Sequence, residues 1–217
     1  GAMPYEKFRQ RWSSEGSLHI KVKWVEGYEA AGGLDAAGVS TDTRTLQSGE
    51  LFFALSGPNF NGNEFAVQAL DKGASAVIID QDIPTTDERI LRVDNSLKCL
   101  QELATAHRTT LGTTILALTG SNGKTTSKEM LGSICKAQCG NDQVLVTAGN
   151  LNNDIGVPQT LLKLRSQHQM AVIEMGMNHP GEIDYLAGLV KPDVVLLTNA
   201  QREHQEFMKT VLAVAKE

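Results

Sequence analysis

Residues 119–126 read Thr-Gly-Ser-Asn-Gly-Lys-Thr-Thr, between the apolar run Ile115-Leu116-Ala117-Leu118 and a stretch whose Met130, Leu131 and Ile134 recur at helical spacing. A strand, a glycine loop and a helix start in that order make a phosphate cradle. Gly120 and Gly123 let backbone N–H groups approach anionic oxygens, and the helix aims its positive end at the same point. In such a cradle Lys124 meets the β- and γ-phosphates, Thr125 offers its hydroxyl to Mg²⁺, and Ser121, Asn122 and Thr126 complete the loop. The reading is a nucleoside triphosphate site; the plain alternative is a strand-to-helix turn. The general pattern wants glycine at position 118, where this chain has Leu118.

The rest of the second half supplies elements that position such a loop. Strands near 114–119, 143–147, 170–175 and 193–198 alternate with helical segments, which argues for a doubly wound, mostly parallel sheet covered on both faces. Ligands then sit at the carboxyl ends of the strands. Glu174 ends the run Met170-Ala171-Val172-Ile173, so its carboxylate belongs to that crevice, where a hard cation bridging phosphates needs oxygen donors beyond Thr125. Asn199 and His204 follow the next strand; His204 is either a second cation ligand or a solvated loop histidine. The segment Gly149-Asn150-Leu151-Asn152-Asn153-Asp154-Ile155-Gly156-Val157-Pro158 is rich in turn formers, and its amides either bind a polar substrate or build the turn.

In the first half, Leu51 to Leu55 reads as a buried strand, Asn63 to Lys72 as a helix closed by Gly73, and Ala76 to Ile79 and Ile90 to Val93 as strands. A helix follows, with Leu97, Leu100, Leu103, Ala104 and His107 at helical spacing; His107 reads as a helix-face residue, because no acid or nucleophile is set close to it. The boundary between two domains is expected near 110–113, giving residues 1–112 and 113–217. Residues 4–39 carry no clear pattern, and Gly1-Ala2-Met3 looks like the scar of a cleaved expression tag.

Composition narrows the class. The 217 residues carry a formal net charge of −5, so there is no general basic field for nucleic acid. No run approaches a membrane span and no signal-peptide segment follows the N-terminus, which makes the cytoplasm the expected location. Cys99, Cys135 and Cys139 read as free thiols, with packing preferred to metal binding for the Cys135/Cys139 pair.

Together these stretches resemble the Mur ligases, the ATP-dependent amide-forming enzymes of peptidoglycan synthesis. The loop 119–126 is similar to the family's own phosphate loop, in which position 118 need not be glycine. Gly149 to Pro158, Glu174-Met175-Gly176-Met177-Asn178-His179-Pro180-Gly181-Glu182-Ile183, and Lys191-Pro192-Asp193 through Thr198-Asn199-Ala200 resemble the branch that adds D-alanyl-D-alanine to UDP-N-acetylmuramoyl-tripeptide. Ser40-Thr41-Asp42-Thr43-Arg44, Gly49 to Leu55 and Gly57 to Phe65 resemble the segment that holds the uridine diphosphate end of that substrate, with Asp42, Thr43 and Arg44 as candidate contacts.

The resemblance, which covers residues 39–217, implies a small N-terminal α/β substrate domain followed by a truncated doubly wound P-loop ATPase domain. It implies ATP and Mg²⁺ as cofactors. Lys124 would clamp the phosphates, Thr125 and Glu174 would hold Mg²⁺, and His204 would hold a second Mg²⁺. Asn152, Asn153 and Asn178 would orient substrate or phosphate. Lys216 lies about two residues early for the family's carbamylated lysine. Family members continue through a third domain, so the chain is expected to be an N-terminal piece that does not ligate by itself. Two other readings remain: a nucleotide-binding module without ligase activity, and a folate-type ligase, which the stretches 149–158 and 174–183 oppose.

Overall fold

The computed structural model describes residues 8–12, 18–22 and 34–201. Its contacts divide the chain into two compact units, residues 1–106 and 107–217. Both are mixed α/β and built on mostly parallel sheets, as the alternation of strands and helices implies.

The first unit opens with strands β1 (Phe8–Trp12), β2 (Leu18–Val22) and β3 (Leu34–Ala36), paired antiparallel in that order. Then come β4 (Val39–Ser40), β5 (Leu51–Phe53), the short hairpin β6 (Ser56–Gly57) and β7 (Phe60–Asn61), and α1 (Ala66–Asp71). Strands β8 (Ala76–Ile79) and β9 (Ile90–Arg92) follow, then helix α2 (Ser96–Thr109), whose residues 107–109 belong to the second unit. The expected helix over 63–72 forms as a 3₁₀ turn over Gly62–Phe65 running into α1. Strands β4-β5-β8-β9 form one parallel sheet in sequence order. Its core gathers Phe52, Val77 and Ile79 with Ala66, Ala69 and Leu70 of α1. Every residue of β5 and β8 is buried, the signature of parallel strands covered on both faces.

The second unit runs β10 (Thr114–Thr119), α3 (Lys124–Cys139), β11 (Val144–Val146), α4 (Gly156–Leu161), β12 (Met170–Glu174), α5 (Glu182–Val190) and β13 (Val194–Leu197). Its strands pair in parallel in the order β11-β12-β10-β13. β10 is first in sequence yet lies inside the sheet, so the chain leaves it to one side and returns to β13 on the other. That reversal is a topological switch point, where ligands collect at the carboxyl ends of the strands.

Packing on α3 explains the residue at position 118. Leu118 is fully buried in a cluster with Cys135, Val144 and Val172. A glycine there would remove a core side chain, a loss of about 2–5 kcal/mol by analogy with truncation to alanine. Cys135 is buried in this cluster and all three cysteines are free thiols. Below the sheet, Arg108 donates to the carbonyls of Val190 and Lys191 at the end of α5 and pairs with Asp193 at 3.1 Å. Asp193 in turn accepts the Ile115 amide, which fixes the entry into β10. His107 is fully buried, its Nε2 3.0 Å from the Leu164 carbonyl oxygen. Burial pushes its imidazole down to about 4, so it serves packing rather than proton transfer.

Candidate active site

The glycine loop leaves β10 at the switch point and enters α3. Gly120 sits at φ +137°, and a Cβ there would collide with the Thr198 hydroxyl and lie 2.9 Å from the Asn199 carbonyl oxygen. Both its conformation and its space therefore demand glycine. Gly123, at φ +78° with open space around it, is needed for conformation alone.

The segment after β13 fastens the loop. The Ser121 amide donates to Asn199 O at 3.1 Å and the Asn122 amide to Asn199 Oδ1 at 3.0 Å. Thr198 Oγ1 and Asn199 Nδ2 donate back to the Asn122 carbonyl at 2.8 and 3.0 Å. Ser121 Oγ donates to the Gln201 carbonyl at 3.1 Å and accepts from its amide at 2.9 Å. These bonds occupy the amides of Ser121 and Asn122. The opening amides of α3 have no intrahelical carbonyl to bond, and Gly123 brings no capping side chain, so the helix start presents the kind of donors that suit an anion. Thr125 and Thr126 are exposed there. Lys124 Nζ folds back on the loop, donating to Gly120 O at 2.6 Å and Ser121 O at 3.4 Å.

Glu174, at the end of β12, is only 2% exposed. Its amide donates to Thr147 Oγ1 at 3.0 Å, and its Oε1 accepts from Asn152 Nδ2 at 2.8 Å. Its Oε2 is buried without a hydrogen-bond partner. Leaving a buried carboxylate oxygen without a hydrogen bond is costly even with the Lys128 ammonium 3.8 Å away, and an oxygen-seeking cation is a group that could use its free lone pairs. The donor set thus fits Mg²⁺ held by Glu174 together with nucleotide phosphates. Among the described residues no group of three His, Cys, Asp or Glu side chains could hold a metal alone, so such a cation would rely on the phosphates for further oxygens.

The three candidate asparagines separate. Asn152 is drawn to Glu174, and its own carbonyl accepts the Gly176 amide at 2.7 Å. Asn153 builds the turn into α4: its Oδ1 accepts the amides of Ile155 and Gly156 at 3.3 and 2.8 Å. Asn178 lies exposed before α5, its amide bonded to Glu182 Oε2 at 2.6 Å. Burial pushes the Glu182 carboxyl up, but the amides of Asn178 and His179 and the His179 ring outweigh it and hold it below its ordinary value. His204 and Lys216 lie outside the described residues.

Sequence reasoning passed over Lys128. It lies four residues beyond Lys124 in α3, is 1% exposed, and its Nζ stands 3.8 Å from Glu174 Oε2. Its helical spacing from Lys124 was the available signal.

In the first unit, Asp42, Thr43 and Arg44 come together with Thr41, Phe52, Phe60 and Phe65 around a cavity of about 530 Å³. Arg44 grips Asp42 through its own amide at 2.8 Å and through Nε and Nη2 at 2.9 and 2.6 Å. That grip holds the Asp42 carboxyl down to about 2. Thr43 is tied on both sides, its hydroxyl donating to Gln68 Oε1 and its carbonyl accepting from Lys72 Nζ. The rings of Phe60 and Phe65 stack with centroids 5.5 Å apart and planes 12° apart. Phe60 remains 53% exposed, so one aromatic face is open to a flat ligand. This pair was not singled out in sequence, where a phenylalanine reads first as core.

A parallel sheet with a glycine loop at its switch point and a buried strand-end glutamate defines a doubly wound α/β domain of the phosphate-loop type. Comparison gives the class a family: residues 35–108 match the Mur ligase family catalytic domain and residues 118–217 the Mur ligase middle domain. The chain belongs to the Mur ligase family. It is 42% identical over 181 residues to the UDP-N-acetylmuramoyl-tripeptide--D-alanyl-D-alanine ligase of Bacillus subtilis (strain 168), covering 82% of this chain and 39% of that protein. It is 44% identical over 183 residues to the ligase of the same name from Escherichia coli (strain K12), covering 84% of this chain and 39% of that protein. The structure of MurF from Acinetobacter baumannii superposes with a TM-score of 0.76 at 38% identity, covering 84% of this chain and 40% of that one. MurF ligase from Thermotoga maritima, solved in complex with ADP, gives 0.75 at 31% identity, covering 82% and 41%. The chain spans about two fifths of the length of the curated relatives it matches.

Proposed function

We propose that the protein carrying these residues joins D-alanyl-D-alanine to UDP-N-acetylmuramoyl-tripeptide at the expense of ATP, as a cytoplasmic step of peptidoglycan precursor synthesis. The observation that carries the reading is the phosphate loop beside Glu174, a buried carboxylate with one oxygen unsatisfied, in a chain 42–44% identical to ligases of that name. The tripeptide carboxylate takes the γ-phosphoryl group of ATP, giving an acyl phosphate and ADP. The amine of D-alanyl-D-alanine then attacks the acyl carbon, phosphate leaves, and the amide forms. Two anions meet in the first step, so positioned positive charge supplies most of the rate.

Within that scheme the N-terminus of α3 and the loop 120–126 hold the phosphates. Lys124 exchanges the Gly120 and Ser121 carbonyls for phosphate oxygens and neutralises charge in transfer. Mg²⁺, held by Thr125 and Glu174, would supply Lewis-acid polarisation of the phosphates, and His204 is the candidate ligand for a second ion. Asn152 fixes the rotamer of Glu174, while Asn153 and Asn178 shape the neighbouring loops. In the first unit Asp42, Thr43 and Arg44 receive the uridine diphosphate end, with the Phe60 ring as a surface for the pyrimidine. The test is phosphate release by the full-length protein with both substrates and with each omitted. Dependence on both supports the reading; release independent of D-alanyl-D-alanine removes it.

A further inference from the structure

Lys128 is a buried cation whose hydrogen bonds do not go to its nearest buried anion. Its Nζ donates to the Gly149 carbonyl at 3.3 Å and pairs with Glu129 Oε1 at 3.2 Å, a carboxylate whose side chain is 69% exposed. Glu174 Oε2 stands 3.8 Å away, too far for a hydrogen bond, and has no other partner. Both side chains are all but inaccessible, at 1% and 2%. The carboxylate is therefore neutralised through space while the lone pairs of one oxygen stay unused. Charges this close and this buried act on each other far more strongly than in water.

That arrangement bears on how a divalent cation reaches Glu174, and rests on the reading of Glu174 as a metal ligand. A bare ion approaching Oε2 meets a carboxylate already balanced by an ammonium and must come close to that ammonium. An ion arriving on nucleotide phosphates brings its own compensating negative charge, so the resident lysine no longer decides the balance. We propose that Lys128 is a resident counter-ion that makes divalent-cation binding at Glu174 conditional on the nucleotide. The chain then avoids filling the strand-end position with metal before the phosphates are in place. Lys128 touches no reacting atom in this scheme; it acts through Glu174.

The direction of the effect separates this role from a structural one. A lysine that merely supports Glu174 would, when removed, weaken metal binding; a lysine that repels the metal would, when removed, strengthen it. The experiment is Mn²⁺ titration of the nucleotide-free 217-residue chain, read by the paramagnetic resonance signal of free Mn²⁺. Lys128→Met should tighten Mn²⁺ binding by at least ~10-fold over the parent, and adding Glu174→Gln to that variant should abolish the gain. Lys128→Gln keeps a donor for the Gly149 carbonyl and carries the same expectation where the methionine variant does not fold. Unchanged or weaker Mn²⁺ binding by a folded Lys128 variant overturns the proposal. Mn²⁺–ADP binding by Glu174→Gln alone tells the two claims apart: loss of affinity upholds the metal reading whatever Lys128 does. Unchanged affinity removes that reading and this inference with it.

Discussion

The two units each carry a candidate site at the carboxyl edge of a four-stranded parallel sheet, built in different ways. In the second unit the order β11-β12-β10-β13 reverses at β10, and the glycine loop, Glu174 and the segment 198–199 lie at the carboxyl ends of β10, β12 and β13. In the first unit β4-β5-β8-β9 runs in sequence order and has no reversal. Its cavity is made instead by side chains: the Asp42–Arg44 turn after β4 and the phenylalanines of the β6–β7 hairpin region. A switch point lets the fold itself furnish amides and a helix end for anions. Without one, recognition falls to particular side chains, and single substitutions should then cost affinity for one ligand rather than the chemistry.

The largest expected effect lies in the backbone-built site. In the full-length protein Lys124→Ala should lower ligation by at least ~10²-fold with an unchanged circular dichroism spectrum, because an electrostatic clamp on the transferred group is removed. Near-parental turnover would show that the loop does not hold the phosphates. Glu174→Gln should shift the Mg²⁺ titration of activity to higher concentration while leaving the KM for the UDP substrate in place. A change confined to that KM would assign Glu174 to the substrate and blur the division between the units.

The side-chain-built site should give smaller, ligand-specific losses. Phe60→Ala is expected to raise the KM for UDP-N-acetylmuramoyl-tripeptide by roughly 3–10-fold with kcat and the ATP KM preserved, as befits one aromatic face. An equal change in the ATP KM would mean the cavity is not a separate subsite.

The smallest effect concerns stability. Unfolded, His107 takes up a proton as pH falls through about 6.5; folded, burial delays uptake to about 4. The unfolded state therefore gains protons first, and stability should be lost progressively from pH 6.5 down to 4, by on the order of 3 kcal/mol at most. Urea unfolding at several pH values should show this slope, and His107→Gln should flatten it. A slope unaltered in that variant would place its origin elsewhere.

The same contrast governs what could be read from sequence. Strands β10 and β12 were legible because buried parallel strands are continuous apolar runs, β13 because it is an equally apolar run although its residues are exposed here, and the phosphate loop because its chemistry is local. Glu174 was legible as a strand-end acid. The roles of Asn152 and Asn153 were not, since one bonds across 22 residues and the other caps its own turn, and sequence spacing does not tell these apart. Leu118 departs from the general phosphate-loop pattern, a departure the family resemblance allowed for, and its place in the core gives the physical reason. Strand β2 was overlooked although Leu18, Ile20 and Val22 alternate with His19 and Lys21, the period of a half-buried strand. The Phe60–Phe65 pair stayed hidden because stacking depends on a hairpin and a 3₁₀ turn that carry no periodic signal.

The most direct test of two separately built sites is a crossed calorimetric titration of the 217-residue chain and its Lys124→Ala and Arg44→Ala variants with ADP–Mg²⁺ and with UDP-N-acetylmuramoyl-tripeptide. Lys124→Ala should weaken binding of the nucleotide alone and Arg44→Ala that of the UDP substrate alone, by about tenfold or more in each case. Loss of both ligands in either folded variant, or of neither in both, would contradict it.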